Sequence, residues 1–294
     1  YPTNYKGPIL DWPIYDRVNE TEEEVTEIKA NYASLVTMVD EYFGNLLDYF
    51  DEQNLWKDTA IILTTDHGFL LGEHNWWAKN RMPVYNEIAH IPLMIYHPNF
   101  SKEGGSRRQT LTQTIDIMPT FLEMFEINVP MDVAGKSLLG VLESDRKIRE
   151  TLIFGYFGAS CNITDGAYTY FRYPEEMNAE NLYEYTLMPT RMTSRFSIEE
   201  LVGATLSNPF SFSKGLQLLK VKPRVSEDGK PIEVQGLSFE DTHSQLFNVL
   251  NDPQQKQALN DPPKVNYLLA QMYQHFKSAD APDEIFERFK LTGK

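Results

Sequence analysis

Cysteine is almost absent from this chain of 294 residues. Cys161 is the single one, which excludes an intrachain disulfide. Its context, Ser-Cys-Asn-Ile-Thr, holds no partner-rich site, so it reads as a small residue filling a packed position. Long apolar runs are missing too, and none approaches the ~20 residues that a membrane-spanning helix needs. Positive charge is scarce: Lys+Arg number 27 against 42 Asp+Glu, for a formal net charge of −15 and a pI near 4.9. Such a surface repels phosphate backbones and argues against a nucleic-acid partner. An anionic substrate would need a local positive site, for which Lys79, Arg81 or a bound cation are candidates. The chain starts at Tyr1 with no visible signal peptide, though trimming can remove one. N-x-S/T triplets begin at Asn19, Asn99 and Asn162, and they leave the compartment undecided.

What is present suits a globular protein. Hydrophobic residues make up 41% and charged residues 23%, and the length fits one large or two modest domains. Residues 1–20 are rich in Pro and Tyr without a period and read as an irregular opening segment. Thr21-Glu22-Glu23-Glu24 is a helix start, with a Thr cap, a Glu three residues on and acids in the first turn. Apolar residues follow at helical spacing from Ile28 to Phe50. Residues 59–65 and 91–96 are short, uniformly apolar strands. The absence of alternation predicts burial on both faces and a parallel arrangement. Residues 114–126 predict a helix with Pro119 near its first turn.

Beyond about residue 150 the texture changes. "TLIFGYFG", "GAYTYFRYP", "GLQLLKVKP" and "SQLFNVL" read as short strands separated by turns, hence a small antiparallel sheet. Residues 175–240 read as a polar insertion with some helix around 198–202, and "PPKVNYLLAQMYQHFKSA" as a late helix. The expected organisation is an α/β portion over 1–150 and a smaller α+β subdomain over 151–294.

The chemistry-bearing stretch is "IILTTDHGFLLGEHNWWAK", residues 61–79. In open α/β sheets, ligands sit beyond the carboxyl ends of strands, where Asp66 and His67 fall. A carboxylate beside an imidazole can reach one divalent cation, and Gly68 permits a sharp turn. The plain alternative is a turn-capping Asp and a surface His. Lys79, thirteen residues past Asp66, is a compact charge suited to a tetrahedral oxyanion. His74 could donate to a leaving oxygen or be a satisfied structural His. Trp76 and Trp77 read as walls or packing, and Glu87 as a tie within the loop.

The segment "TTDHGFLLGEHNWWAKNRMPVYNEIAHIPLMIYHP" resembles the central part of type I sulfatases, in the alkaline-phosphatase-like superfamily. The resemblance continues in "QTIDIMPTFLEMFEINVP" and "GKSLLGVL" and resumes in "HSQLFNVLNDPQQKQALND". It is strong over 25–145 and 243–262 and weak over 1–20 and 175–240. It implies an α/β fold: a partial alkaline-phosphatase-like core of buried, mainly parallel strands and helices, plus the smaller C-terminal antiparallel sheet with a helix. It implies that Asp66 and His67 are metal ligands, with Ca²⁺ expected and Mg²⁺ or Mn²⁺ as alternatives. Lys79 would contact the sulfate, His74 would stand at a variable polar position near the site, and Asp116 would be structural. The implied substrate is a sulfated small molecule or carbohydrate.

One departure matters. The family's formylglycine comes from a Cys or Ser in a C/S-x-P/A-x-R motif, and none occurs in these 294 residues; Cys161 is followed by Asn-Ile-Thr-Asp. The expectation is therefore a C-terminal part of a sulfatase, inactive alone. The missing N-terminal half would be its partner, and self-association would be another way to cover its surface. Two other readings stay open: a phosphodiesterase or phosphonate-monoester hydrolase of the same superfamily, and a non-catalytic binding half-fold.

Overall fold

The computed structural model describes residues 16–178, 181–188, 190–191, 194–222 and 239–292. Residues 1–15 of the expected irregular opening and 223–238 of the expected insertion lie outside them. The helices are α1 (Glu22–Gln53), α2 (Asn86–Ala89), α3 (Ile117–Met124), α4 (Leu139–Ser144), α5 (Ile198–Leu201), α6 (Pro262–Ser278) and α7 (Asp283–Arg288). The strands are β1 (Ile61–Thr64), β2 (Leu70–Leu71), β3 (Trp77–Ala78), β4 (Leu93–Tyr96), β5 (Leu152–Gly155) and β6 (Cys161–Thr164). They continue with β7 (Tyr168–Arg172), β8 (Glu184–Thr186), β9 (Thr205–Leu206), β10 (Leu219–Val221) and β11 (Gln245–Asn248). Two compact units emerge: residues 1–109 with 140–146, and residues 110–139 with 147–294.

In the first unit, α1 begins as its sequence predicts. Thr21 is the N-cap in an extended conformation, and its side chain and that of Glu24 bond each other's backbone amides. Asn54 closes the helix in the left-handed region. The N-terminal half packs Tyr32 on Phe69, with ring centroids 5.8 Å apart. At the other end Phe50, Trp56 and Tyr96 form an aromatic cluster, in which the Tyr96 hydroxyl donates to the Trp56 carbonyl at 2.5 Å. Between these anchors Val36, Val39, Tyr42, Leu46 and Tyr49 are exposed.

The strand expectation needs correction. β1 and β4 pair antiparallel, with Ile61 opposite Tyr96 and Thr64 opposite Leu93. A parallel pair needs a crossover long enough to run back along the sheet. The connection here holds only the β2–β3 hairpin and the single turn of α2. Nor are the strands buried: β1 is half-buried throughout and Met94 is 57% exposed. The unbroken apolar pattern signals two apolar faces, and the described residues cover them only in part.

In the second unit, β11-β7-β6-β5 form an antiparallel sheet; three of the four expected strands join it, while β10 of "GLQLLKVKP" pairs with β8 and β9 instead and β6 takes its place. α6 packs Leu268, Met272 and Phe276 onto Ile163, Tyr170 and Leu246. Burial pushes the Cys161 thiol up to about 12, which fits an inert packed residue. Asp116 is fully buried and structural: it accepts from the Gln113 and Lys136 amides at 2.7 and 2.8 Å. It also takes a two-pronged bond from Arg149 at 2.6 and 2.5 Å. A second antiparallel sheet, β8-β10-β9, organises part of the 175–240 segment, where Arg191 bridges Glu184 and Glu200.

Candidate active site

The candidate residues lie in the first unit, on the loop that leaves β1. His67 turns back at the strand end, its amide donating to Asp66 Oδ1 at 3.0 Å. Its Nδ1 faces the Gly68 carbonyl at 2.9 Å. A carbonyl only accepts, so Nδ1 carries a proton. Two groups lie at Nε2: Asp66 Oδ2 at 3.1 Å, and Lys79 Nζ in hydrogen-bond contact. Asp66 is exposed, with 81% of its side-chain surface open. Desolvation pushes its carboxyl up, but the His67 amide, the His67 imidazole and the Thr65 hydroxyl outweigh this and hold it below the ordinary carboxylate value.

Backbone geometry explains why Lys79 arrives there. Leu70 pairs with Ala78 and Leu71 with Trp77, so the β2–β3 hairpin returns the chain to its starting point. The hairpin is tightly wound: Gly72, His74, Asn75, Ala78 and Asn80 all have φ between 54° and 98°. Trp76 and Trp77 are buried beneath it, Arg17 lies 3.9 Å over the Trp76 ring, and Trp77 Nε1 donates to Glu20 at 2.6 Å. The Gly68 turn is pressed against α2. Its amide donates to the Ile88 carbonyl at 2.8 Å, and a Cβ at position 68 would stand 1.7 Å from the Glu87 carbonyl oxygen. Only glycine permits that approach.

The structure thus brings Asp66, His67 and Lys79 together. Arg81, the other candidate cation, is engaged by Asp16 at 3.3 Å. His74 has separate company: its ring stacks on Tyr85 with centroids 3.6 Å apart and planes 3° apart. Its Nε2 lies 3.6 Å from Glu87 Oε2, and both atoms are buried without a hydrogen-bond partner. Glu87 is the tie that the sequence suggests. Tyr85 carries no periodic signal, because α2 is a single turn.

The donor chemistry fits a divalent cation in part. A carboxylate oxygen and an imidazole nitrogen 3.1 Å apart can bind one ion at ~2.3–2.6 Å, and the Nδ1–H bond fixes the ligating tautomer. Among the described residues, no group of three or more His, Cys, Asp or Glu could hold a metal. A cation held here would need further donors beyond this pair.

Comparisons with known proteins agree with the sequence motifs. A family model described as Sulfatase matches residues 11–127, and one described as N-sulphoglucosamine sulphohydrolase, C-terminal, matches residues 72–202. The N-acetylglucosamine-6-O-sulfatase of Bacteroides thetaiotaomicron is 34% identical over 153 residues, covering 52% of this chain and 25% of that protein. The multifunctional alkaline phosphatase superfamily protein PehA of Trinickia caryophylli is 37% identical over 122 residues, covering 41% of this chain and 23% of that one. The solved structure of BT4656 in complex with its substrate D-glucosamine-2-N,6-O-disulfate matches with a TM-score of 0.59 at 20% identity. It covers 89% of this chain and 42% of the BT4656 chain, a likeness of fold. The aligned segments thus span about a quarter of the curated relatives.

Proposed function

We propose that this chain, which the Sulfatase family model matches over residues 11–127 and the N-sulphoglucosamine sulphohydrolase C-terminal model over residues 72–202, is the C-terminal part of a sulfuric ester hydrolase of that family. Residues 1–150 would be part of the catalytic core and 151–294 the smaller subdomain. The observation that carries the reading is the cluster at the end of β1, where His67 Nε2 meets both Asp66 and Lys79. Asp66 and His67 would hold a divalent cation, Ca²⁺ first and Mg²⁺ or Mn²⁺ next. That ion supplies Lewis-acid stabilisation of the sulfate oxygens when bound. The Lys79 ammonium would offset charge on the same oxygens, a role for a compact cation in an otherwise acidic protein. For His74, proton donation to the leaving alcohol competes with a positioning role, and its buried ring supports the second.

The formylglycine nucleophile would be carried by sequence outside this chain. Support comes from the exposed apolar stripe of α1 and the half-covered β1–β4 pair, which are surfaces made to be buried. An N-terminal half would cover them; self-association is the competing cover. The substrate class we propose is a sulfated carbohydrate, supported by the 34% identity over 153 residues with a protein named N-acetylglucosamine-6-O-sulfatase.

The test compares residues 1–294 with a protein that includes the upstream coding sequence, on an aryl sulfate and on a sulfated glucosamine with added Ca²⁺. Turnover by the longer protein alone is the expected result, and turnover by residues 1–294 would sink the assignment. A second reading, phosphonate-monoester or phosphodiester hydrolysis, draws on the 37% identity with the multifunctional protein PehA. Faster turnover of a phenyl phosphonate ester than of the aryl sulfate would favour it.

A further inference from the structure

We propose that His74 is a positioning residue, which with Tyr85 and Glu87 holds the β2–β3 hairpin against the Gly68 turn so that Lys79 meets His67. This deepens the sulfatase reading and rests on it for the identity of the anion that Lys79 contacts.

The hairpin needs an external hold. It has four residues with a Cβ in the left-handed region: His74 at φ 54°, Asn75 at 61°, Ala78 at 70° and Asn80 at 79°. Such residues persist only where surroundings over-determine them. Its strands are two residues each, so its own ladder fixes little. Yet Lys79, at its exit, must stay within hydrogen-bond reach of His67, at its entrance.

α2 supplies the hold at two points. At the hairpin tip, the His74 ring lies flat on Tyr85, and Nε2 points at Glu87 Oε2 from 3.6 Å. At the base, the Glu87 and Ile88 carbonyls take the Gly68 turn. The same residue, Glu87, thus touches the tip through its side chain and the base through its backbone. Motion of α2 relative to either point would shift Lys79 against His67.

The buried pair argues against His74 as the group that protonates the leaving alcohol. The His74 side chain is 10% exposed, its Nε2 is shut off from solvent, and the facing group is a carboxylate. Two buried polar atoms left apart are costly. Closing the 3.6 Å gap by a few tenths of an ångström lets one proton serve both, and the pair becomes a latch.

The experiment uses the longer protein with its upstream sequence, and His74→Ala, His74→Gln and Glu87→Gln variants. Inorganic sulfate is the binding probe, measured by calorimetry; aryl sulfates with phenols of graded acidity are the kinetic probe. Displacing a catalytic group by about an ångström costs on the order of 100-fold. His74→Ala is therefore expected to lose about 10- to 100-fold in sulfate affinity and in kcat/KM alike. The loss should be equal for good and poor leaving groups, and His74→Gln, whose amide can still bond Glu87, should recover most of both. A loss confined to poor leaving groups, with sulfate affinity unchanged, would make His74 the proton donor and overturn the proposal. Unchanged behaviour of His74→Ala, or a wild-type protein that binds no sulfate, would overturn it as well. If the wild type binds sulfate but hydrolyses no sulfate ester, the sulfatase reading falls, and the sulfate affinities still decide the positioning role.

Discussion

Lys79 Nζ and His67 Nε2 are in direct contact across the mouth of the β2–β3 hairpin, twelve residues apart in sequence. An ammonium held against an imidazole at a strand end forms a site for an anion only if the ammonium can turn to it. Replacing Lys79 with Ala in the longer protein should lower kcat/KM for an aryl sulfate by about 10²–10³-fold, the scale for one lost oxyanion donor. Lys79→Arg should not restore it, because the planar fork does not replace a compact charge. Steady-state kinetics check both.

Metal retention should depend on more than this chain. Two donors of the six to eight that Ca²⁺ takes leave most of the shell to water. Residues 1–294 alone should show no rise in Tm with about 1 mM Ca²⁺, the regime where weak sites are still empty. The longer protein should show one, and Asp66→Asn should remove it. Thermal melts with and without chelator decide the matter.

Gly68→Ala should be costly despite the small change. Its Cβ would overlap the Glu87 carbonyl oxygen, and the neighbour is backbone, which cannot rotate away. A loss of about 1–3 kcal/mol is expected from such overpacking. Denaturant unfolding measures it.

Asp116→Asn should destabilise the second unit by about 3–5 kcal/mol, the cost of leaving a buried partner charge unpaired. Arg149 would lose its two-pronged partner in a buried setting. The same denaturant series reports the loss.

His275 predicts an acid-side weakness. Desolvation lowers its pKa from the ordinary 6.5, with Arg149 and Lys136 adding to the shift against a bond with Thr151. The unfolded chain then binds the proton more readily than the folded one. Stability from neutral His275 is present above pH 6.5 and is lost as pH falls from 6.5 through the folded pKa. His275→Gln should flatten the pH dependence of Tm across that window.

Local signals were legible where local physics decides. The Thr21–Glu24 box starts a helix because its partners are three residues apart. The start of α6 is equally local, with Asp261 capping Lys264 and prolines in the first turn. The proximity of Asp66 and His67 is covalent, and β5, β7 and β11 follow from short strand-like runs set between turn residues. The 61–79 motif also pointed to Lys79, thirteen residues downstream of Asp66.

Tertiary structure alone decided the rest. The antiparallel pairing of β1 with β4 depends on how the intervening chain folds back, which no apolar run encodes. The contact of Lys79 with His67 depends on left-handed backbone at His74, Asn75 and Ala78, a conformation uncommon for any residue with a Cβ and least natural for Ala78. Tyr85 and Glu87 gained their roles only when α2 was set against both the Gly68 turn and the hairpin tip. Such contacts arise from packing between segments, and a sequence lists those segments without stating which of them touch.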